Sequence, residues 1–191
     1  MVDKKIDKEI IKNIIFDIKE KTQATQMTAD EYEYISSFLG NKNFLVFGTG
    51  YDSDLWRYAN QNGKTVFLEH NSEWITNNAD TYKITYSCNL RKDKEKLLAE
   101  YKAGSYANLE IDMPAKVLDT VWDIILVDSP EGGGKKHHHG RMQSIYTASK
   151  LATYHTEVFV HDCQRYVEDV YSSAMFNNFI TQLTTLRHYK K

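Results

Sequence analysis

Asp128 closes the apolar run Ile124-Ile125-Leu126-Val127, and His161-Asp162 close Val158-Phe159-Val160. A carboxylate ending a strand buried on both faces is costly unless it has a partner or a chemical task. If both runs are strands of one parallel sheet, the two acids and the imidazole share a rim. Three kinds of chemistry suit such a cluster. One is general base catalysis, in which Asp128, His161 or Asp162 takes the proton of a weak hydroxyl nucleophile as its new bond forms. Another is a divalent metal ion held by Asp128 and Asp162, lowering the pKa of that hydroxyl directly. The third is contact with a cationic group of a cofactor. The residues alone leave these open, and for His161 a buried imidazole bonded to a backbone carbonyl is an equal alternative.

A second group lies earlier in the chain. Gly48 and Gly50 follow the run Phe44-Leu45-Val46-Phe47 and let backbone approach a ligand closely; Glu69 ends the next apolar run, about 20 residues on, where a carboxylate accepts hydrogen bonds from a ribose diol. Ser53 stands where a dinucleotide fingerprint has its third glycine. That loosens the case for a pyrophosphate and favours a nucleoside cofactor without phosphates, such as S-adenosylmethionine. Asp52 and Ser53 belong to the same turn, and either can cap the helix that follows.

The stretch Gly132 to Gly140 reads as a flexible, lid-like loop carrying Lys135, Lys136 and His137-His138-His139, with Arg141 opening the next helix. Arginine grips a carboxylate through two parallel hydrogen bonds, so Arg141, Lys135 or Lys136 is placed to orient an acidic sugar. The three histidines read as a solvated loop rather than a metal site. Arg165 and Glu168 are spaced to pair with each other within one helical turn.

These residues need a sheet to hold them. With 191 residues, 41% hydrophobic, 9 Gly and 2 Pro, the chain has the material for one folded domain built of regular elements. Ile6, Ile10, Ile14 and Ile18 predict an amphipathic helix over 4–21, followed by a joint to residue 26. It either packs on the domain or makes an oligomer or membrane-surface contact. Thr28 and Glu31 form a capping-box pattern for a second helix with Ile35, Phe38 and Leu39 inward. Alternating strands and helices then follow: strands at 44–47, 65–69, 82–86, 122–128 and 157–160, a short helix through Trp74 and Ile75, helices over 91–102, 141–154 and 165–176, and two final short strands around Leu183 and Leu186. The expectation is an α/β fold with a mostly parallel sheet, a C-terminal antiparallel hairpin and helices on both faces.

Exclusions follow from charge and cysteine count. With 24 Lys+Arg against 26 Asp+Glu, the net charge of -2 provides no broad basic field for nucleic acid. Two distant cysteines define neither a metal spacing nor a disulfide framework. No run approaches the ~20 apolar residues of a membrane span, and the N-terminus lacks a signal-peptide core. A soluble chain, cytoplasmic or virus-associated, is expected.

The segment Asn43-Phe44-Leu45-Val46-Phe47-Gly48-Thr49-Gly50-Tyr51-Asp52-Ser53, with Trp56 after it, resembles the opening motif of the plant polysaccharide-biosynthesis domain that includes glucuronoxylan 4-O-methyltransferases and the irregular-xylem proteins. The resemblance continues in Thr65–Glu69, Trp122-Asp123 through Val127-Asp128-Ser129-Pro130, Gly140-Arg141-Met142, and Val158–Asp162 followed by Arg165 and Val167-Glu168. It covers the chain from about Met27 to the end. What it implies is a Rossmann-like class I methyltransferase sheet and S-adenosylmethionine-dependent methylation of a glucuronic acid unit in a polysaccharide. Under the resemblance Gly48, Gly50 and Glu69 look like cofactor contacts and Asp128, Arg141, His161 and Asp162 like the reaction rim; beside it, Asp52 and Ser53 of the glycine turn are further candidate cofactor contacts, and Lys135, Arg141 and Arg165 candidate substrate contacts. This sequence departs from the pattern at Tyr51, where the family tends to have His, at His70-Asn71, where further acids are usual, and in the Gly-Lys-His loop. The rival readings are a small hydroxylated acceptor and a non-catalytic scaffold of the same fold.

Overall fold

The computed structural model describes residues 6–22, 27–75, 80–132 and 138–191. Five parallel strands, β1 (Asn43–Phe47), β2 (Lys64–Glu69), β3 (Thr81–Lys83), β4 (Ile124–Val127) and β5 (Glu157–Val160), are joined by the antiparallel hairpin β6 (Thr181–Leu183) and β7 (Leu186–Lys190). The sheet order is β3-β2-β1-β4-β5-β7-β6, with β7 antiparallel to β5. This is the expected α/β sheet. The chain winds outward from β1 to β3, then returns to lay β4 on the other side of β1, so the strand order reverses between β1 and β4. A ligand crevice forms at such a point.

Each strand alternates its side chains between two buried layers, which is why the runs are apolar throughout. Leu45, Phe47, Val66, Leu68, Ile125, Val127, Val158 and Val160 face α4 (Leu90–Lys102), the short α5 (Ala115–Leu118), α6 (Met142–Leu151) and α7 (Tyr166–Phe176). Phe44, Val46, Phe67, Ile124, Leu126 and Phe159 face α1 (Lys8–Thr22), α2 (Ala29–Ser36) and α3 (Ser53–Ala59). α1 turns Ile11, Ile15 and Ile18 into this second layer, with Ile6 and Ile14 packed against it, whereas Ile10 of the expected stripe is exposed. At roughly 1.5–3 kcal/mol for each buried aliphatic side chain, these isoleucines are a substantial part of the layer.

The capping box is present as read: Thr28 Oγ1 accepts from Glu31 N at 3.2 Å, and Glu31 Oε2 accepts from Thr28 N at 2.7 Å. Glu31 has a second attachment that the pattern does not reveal. Its Oε1 accepts from Thr185 N at 2.8 Å, Leu186 N at 2.9 Å and the Thr185 hydroxyl at 3.1 Å, so one buried carboxylate ties α2 to the start of β7. Burial raises its pKa, but these bonds and the nearby His161 outweigh that and hold Glu31 below its ordinary range.

Three local expectations are corrected. Trp74 lies in a turn, not a helix: Trp74 N donates to Asn71 O, and Asn71 Oδ1 accepts from Glu73 N at 3.0 Å, a side-chain bond that competes with helix formation. The third strand stops at Lys83, where its partner β2 ends at Glu69. Neither Asp52 nor Ser53 caps α3: Asp52 occupies the cap position in a helical conformation and makes no side-chain cap bond, and Ser53 Oγ instead accepts from Gly50 N at 2.9 Å.

Replacing Glu31 by Ala should cost about 3 kcal/mol or more in urea unfolding, because several backbone donors lose a charged partner in the interior. Since its folded-state pKa is lowered, Glu31's contribution is present above the ordinary glutamate range and is lost as pH falls through the lowered value. The variant should therefore show a flatter acid limb of stability against pH; an unchanged midpoint would contradict this role.

Candidate active site

The sheet register lines up the suspected residues. Phe47 pairs with Leu68 on one side and Val127 on the other, and Val127 pairs with Val160. The residues one step further, Gly48, Glu69, Asp128 and His161, therefore form one row along the carboxyl ends of β2, β1, β4 and β5. Backbone bonds from Gly48 N to Leu68 O, Asp128 N to Phe47 O and His161 N to Val127 O fix the row. Above it lies a cavity of about 370 Å³, lined by both groups of residues and within the size range of small-ligand sites. Gly48 has φ +114°, and a Cβ there would meet Ser129 Cβ at 2.8 Å, so glycine lets the ends of β1 and β4 close up.

On the β1–β2 side, Glu69 is buried and heavily bonded. Its Oε2 accepts from Thr49 N at 2.8 Å and the Thr49 hydroxyl at 3.0 Å; its Oε1 accepts from His70 N and Asn71 N, both at 2.7 Å. The His70 ring stands beside it, with Nδ1 at 2.9 Å but without hydrogen-bond alignment. Burial raises the Glu69 pKa, and His70 with the backbone donors of Asn71 and Thr49 overrides it, leaving the carboxylate below its ordinary value. All three amides of the glycine turn are engaged within the protein: Gly48 to Leu68 O, Thr49 to Glu69 and Gly50 to Ser53 Oγ. Tyr51 and Trp74 stand exposed at the cavity edge, their rings edge-on at 5.3 Å.

On the β4–β5 side, everything converges on Arg141, which is 4% exposed. Its Nε donates to Pro130 O at 3.2 Å, its Nη1 to His161 O at 2.7 Å, and its Nη2 lies 2.8 Å from Asp128 O, 2.9 Å from Asp128 Oδ1 and 2.8 Å from Asp162 Oδ2. His161 Nδ1 also meets Asp128 Oδ1 at 2.9 Å, while its Nε2 is 3.9 Å from Glu31 Oε2. Burial raises the Asp128 pKa, but His161 and Arg141 together hold it below its usual value; burial lowers that of His161, and Asp128 raises it further than burial lowers it. Asp162 sits at φ +65°, a strained conformation of the kind that clusters at functional sites, and its Oδ2 also receives Arg165 Nη1 at 2.7 Å.

Several site residues lie where the pattern did not put them. Arg141 was expected to grip a substrate carboxylate, but its donors are taken up by strand ends and acids of the same chain. Arg165 was spaced to pair with Glu168; it pairs with Asp162 instead, is 38% exposed and lines the cavity. Glu168 is buried behind Arg141, with Nε of that arginine 3.9 Å from its Oε1, and burial pushes its pKa up. A clue was available, since Glu168 shares a helix face with Tyr171 and Met175, both buried. Gly132 passes so close that a Cβ would lie 2.6 Å from Glu168 Oε1. Lys135, Lys136 and His137 lie outside the described residues. Asp52, buried at the cavity wall, is pushed up to about 7 by burial and by the charge of Asp128.

Comparison with known proteins agrees with this architecture. A Staphylococcus aureus structure described as a candidate caffeoyl-CoA O-methyltransferase superposes with a TM-score of 0.50 at 16% identity, covering 94% of this chain and 92% of the other, which is a likeness of fold. Among Arabidopsis thaliana proteins, Glucuronoxylan 4-O-methyltransferase 3 is 37% identical over 78% of this chain and 58% of its own length. Arabinogalactan O-methyltransferase 1 is 34% identical over 70% and 54%, and Protein IRREGULAR XYLEM 15 is 32% identical over 77% and 54%. The chain thus spans about three fifths of the length of the first of these relatives. The family model for IRX15/IRX15L/GXM matches residues 31–189, which takes in every strand and every residue of the rim, and the chain belongs to that family.

Proposed function

We propose that this chain is an S-adenosylmethionine-dependent O-methyltransferase whose acceptor is a hydroxyl of a uronic-acid-bearing polysaccharide. The observation that carries the reading is the single row of Gly48, Glu69, Asp128 and His161 over one cavity, which joins a nucleoside-type half to an acid–base half. The engaged amides of the glycine turn support a cofactor without phosphates, because a phosphate cradle needs free backbone N–H groups. The names of the relatives, which refer to methylation of glucuronoxylan and of arabinogalactan, support the polysaccharide acceptor.

S-adenosylmethionine supplies a methyl group bonded to a cationic sulfur, which passes to the acceptor oxygen and leaves a neutral thioether. Glu69 would hold the ribose hydroxyls, with the Thr49 hydroxyl the group that gives way on its carboxylate. Asp128 takes the acceptor's proton. Its Oδ1 is fixed by Arg141 and His161, which leaves Oδ2 for the substrate. His161 is the poorer base, since its two ring nitrogens face carboxylates of Asp128 and Glu31. Held below its usual pKa, Asp128 stays ionised at neutral pH and accepts the proton only as the new O–C bond forms. Arg165, half-exposed on the cavity wall, orients the acceptor's carboxylate.

Asp128, His161 and Asp162 offer donor atoms within 4.8 Å of one another, the right types for a divalent cation. The same two acids are already shared by the guanidinium of Arg141, and Asp162 also carries Arg165. A cation there would face two arginines, so we assign the charge balance of the rim to Arg141 and Arg165, and no step of the reaction requires a metal.

Asp128→Asn should lower methyl transfer to a uronic-acid oligosaccharide by about 10²–10⁴-fold, while calorimetry with S-adenosylhomocysteine shows cofactor-site affinity within a few-fold of the parent. Full activity in this variant would remove Asp128 from the chemistry. Parent protein that binds the cofactor yet methylates only small hydroxylated compounds would overturn the polysaccharide acceptor, and binding without any turnover would favour a scaffold.

Arg165→Ala should reduce kcat/KM for a uronate acceptor by about 10-fold or more relative to its neutral methyl ester, through loss of one charge-assisted contact. Equal loss on both acceptors would place Arg165 outside carboxylate recognition.

A further inference from the structure

Asp52 stands apart from the other carboxyls of the cavity. Glu69 is held by backbone donors, Asp128 by Arg141 and His161, and Asp162 by Arg141 and Arg165. Asp52 is the one buried carboxyl lining the cavity with no cation within ion-pair distance among the described residues. The Trp56 indole on α3 lies against its carboxyl, a neutral donor that leaves the charge unmatched. Asp52 occupies the cap position of α3 yet makes no cap bond, and Ser53 serves the glycine turn instead. The Asp52 side chain is folded back over that turn, where a Cβ on Gly50 would lie 3.2 Å from its Oδ1.

The line of the site says what belongs there. The row of strand ends runs from Glu69 over Gly48 to Asp128, so a nucleoside with its ribose on Glu69 would extend along it toward Asp128. A substituent at that end would lie over the start of α3, beside Asp52. We propose that Asp52 is the carboxylate that receives the ammonium group at the amino-acid end of the cofactor. This rests on the reading that S-adenosylmethionine is the cofactor. It adds a contact that the glycine turn, with its own amides engaged, does not supply.

The surroundings of Asp52 give the pairing a measurable signature. Asp128 at the end of β4, Tyr32 on α2 and the Trp56 indole on α3 face it, with His161 at the end of β5 further off. Among these, burial and Asp128 hold Asp52 up to about 7, so part of it is protonated at neutral pH. When the ammonium arrives the carboxyl ionises, and that proton leaves to solvent. The ammonium keeps its own protons.

The test is calorimetry of the intact chain with two neutral thioethers, S-adenosylhomocysteine and 5'-methylthioadenosine, in buffers of different ionisation enthalpy near pH 7. S-adenosylhomocysteine should bind with release of a fraction of a proton, and methylthioadenosine, which has the same nucleoside but no ammonium, with none. Asp52→Asn should abolish the proton release and weaken S-adenosylhomocysteine roughly 10-fold or more, leaving methylthioadenosine affinity unchanged, which also shows that the variant is folded. Equal proton counts for the two ligands, or full S-adenosylhomocysteine affinity in the variant, would overturn the proposal alone. If the parent binds neither ligand, the proposal falls together with the cofactor reading.

Discussion

A guanidinium can be buried only if its donors are met and its charge is balanced, and Arg141 satisfies both conditions by joining the ends of two strands. It takes the carbonyls of Asp128, Pro130 and His161 and the carboxylates of Asp128 and Asp162. Strands β4 and β5 therefore end at a fixed separation, with the loop after β4 drawn back across them. Two acids that would otherwise repel are held within a few ångströms, and each keeps an oxygen positioned by the same planar group. Lysine would not replace it, because a single ammonium lacks the fork that reaches three carbonyls and two acids.

From this centre the charges of the site follow in order. His161 and Arg141 hold the pKa of Asp128 down; Asp128 raises that of His161, with Glu31 behind it; Asp162 pairs with Arg141 and Arg165. Burial opposes the charged forms of Asp128 and His161, and it is overcome because opposite charges are close. Where that support falls short burial wins, as at Asp52, which has no cation in ion-pair reach, and at Glu168, where Arg141 and Arg165 only partly offset it; both pKa values rise. The cavity thus contains carboxyls of both kinds, and pairs of acids pushed in opposite directions are what proton-handling sites are made of. Glu31 extends the same network out of the cavity to α2 and β7, so α2 and the C-terminal hairpin meet behind His161.

Much of this was legible before any coordinates. Apolar runs ending in Gly48, Glu69, Asp128 and His161 announce strands and their carboxyl ends, since period and punctuation are local properties. The capping box at Thr28 and Glu31 is likewise local, and it is found intact. What was not legible depends on contacts between distant segments. Arg141 reads as a helix-opening arginine placed to grip a substrate carboxylate until β4 and β5 are brought together around it. Asp52 fits a helix cap by type, yet its side chain makes no cap bond, and Glu31's second role at Thr185 and Leu186 lies 154 residues or more along the chain. The expected helix at Trp74 failed for a smaller reason, because an asparagine side chain captured a backbone N–H and closed a turn.

The central claim is that Arg141, not a metal ion, organises the rim and leaves Asp128 Oδ2 facing the acceptor hydroxyl. A crystal structure with S-adenosylhomocysteine and a uronic-acid oligosaccharide, grown in the presence of a divalent cation, tests it directly. The account predicts Arg141 still bridging Asp128 and Asp162, with an acceptor hydroxyl within hydrogen-bond distance of Asp128 Oδ2 and in line with the cofactor sulfur. A cation coordinated by Asp128, His161 and Asp162, with the guanidinium displaced from between them, would contradict it.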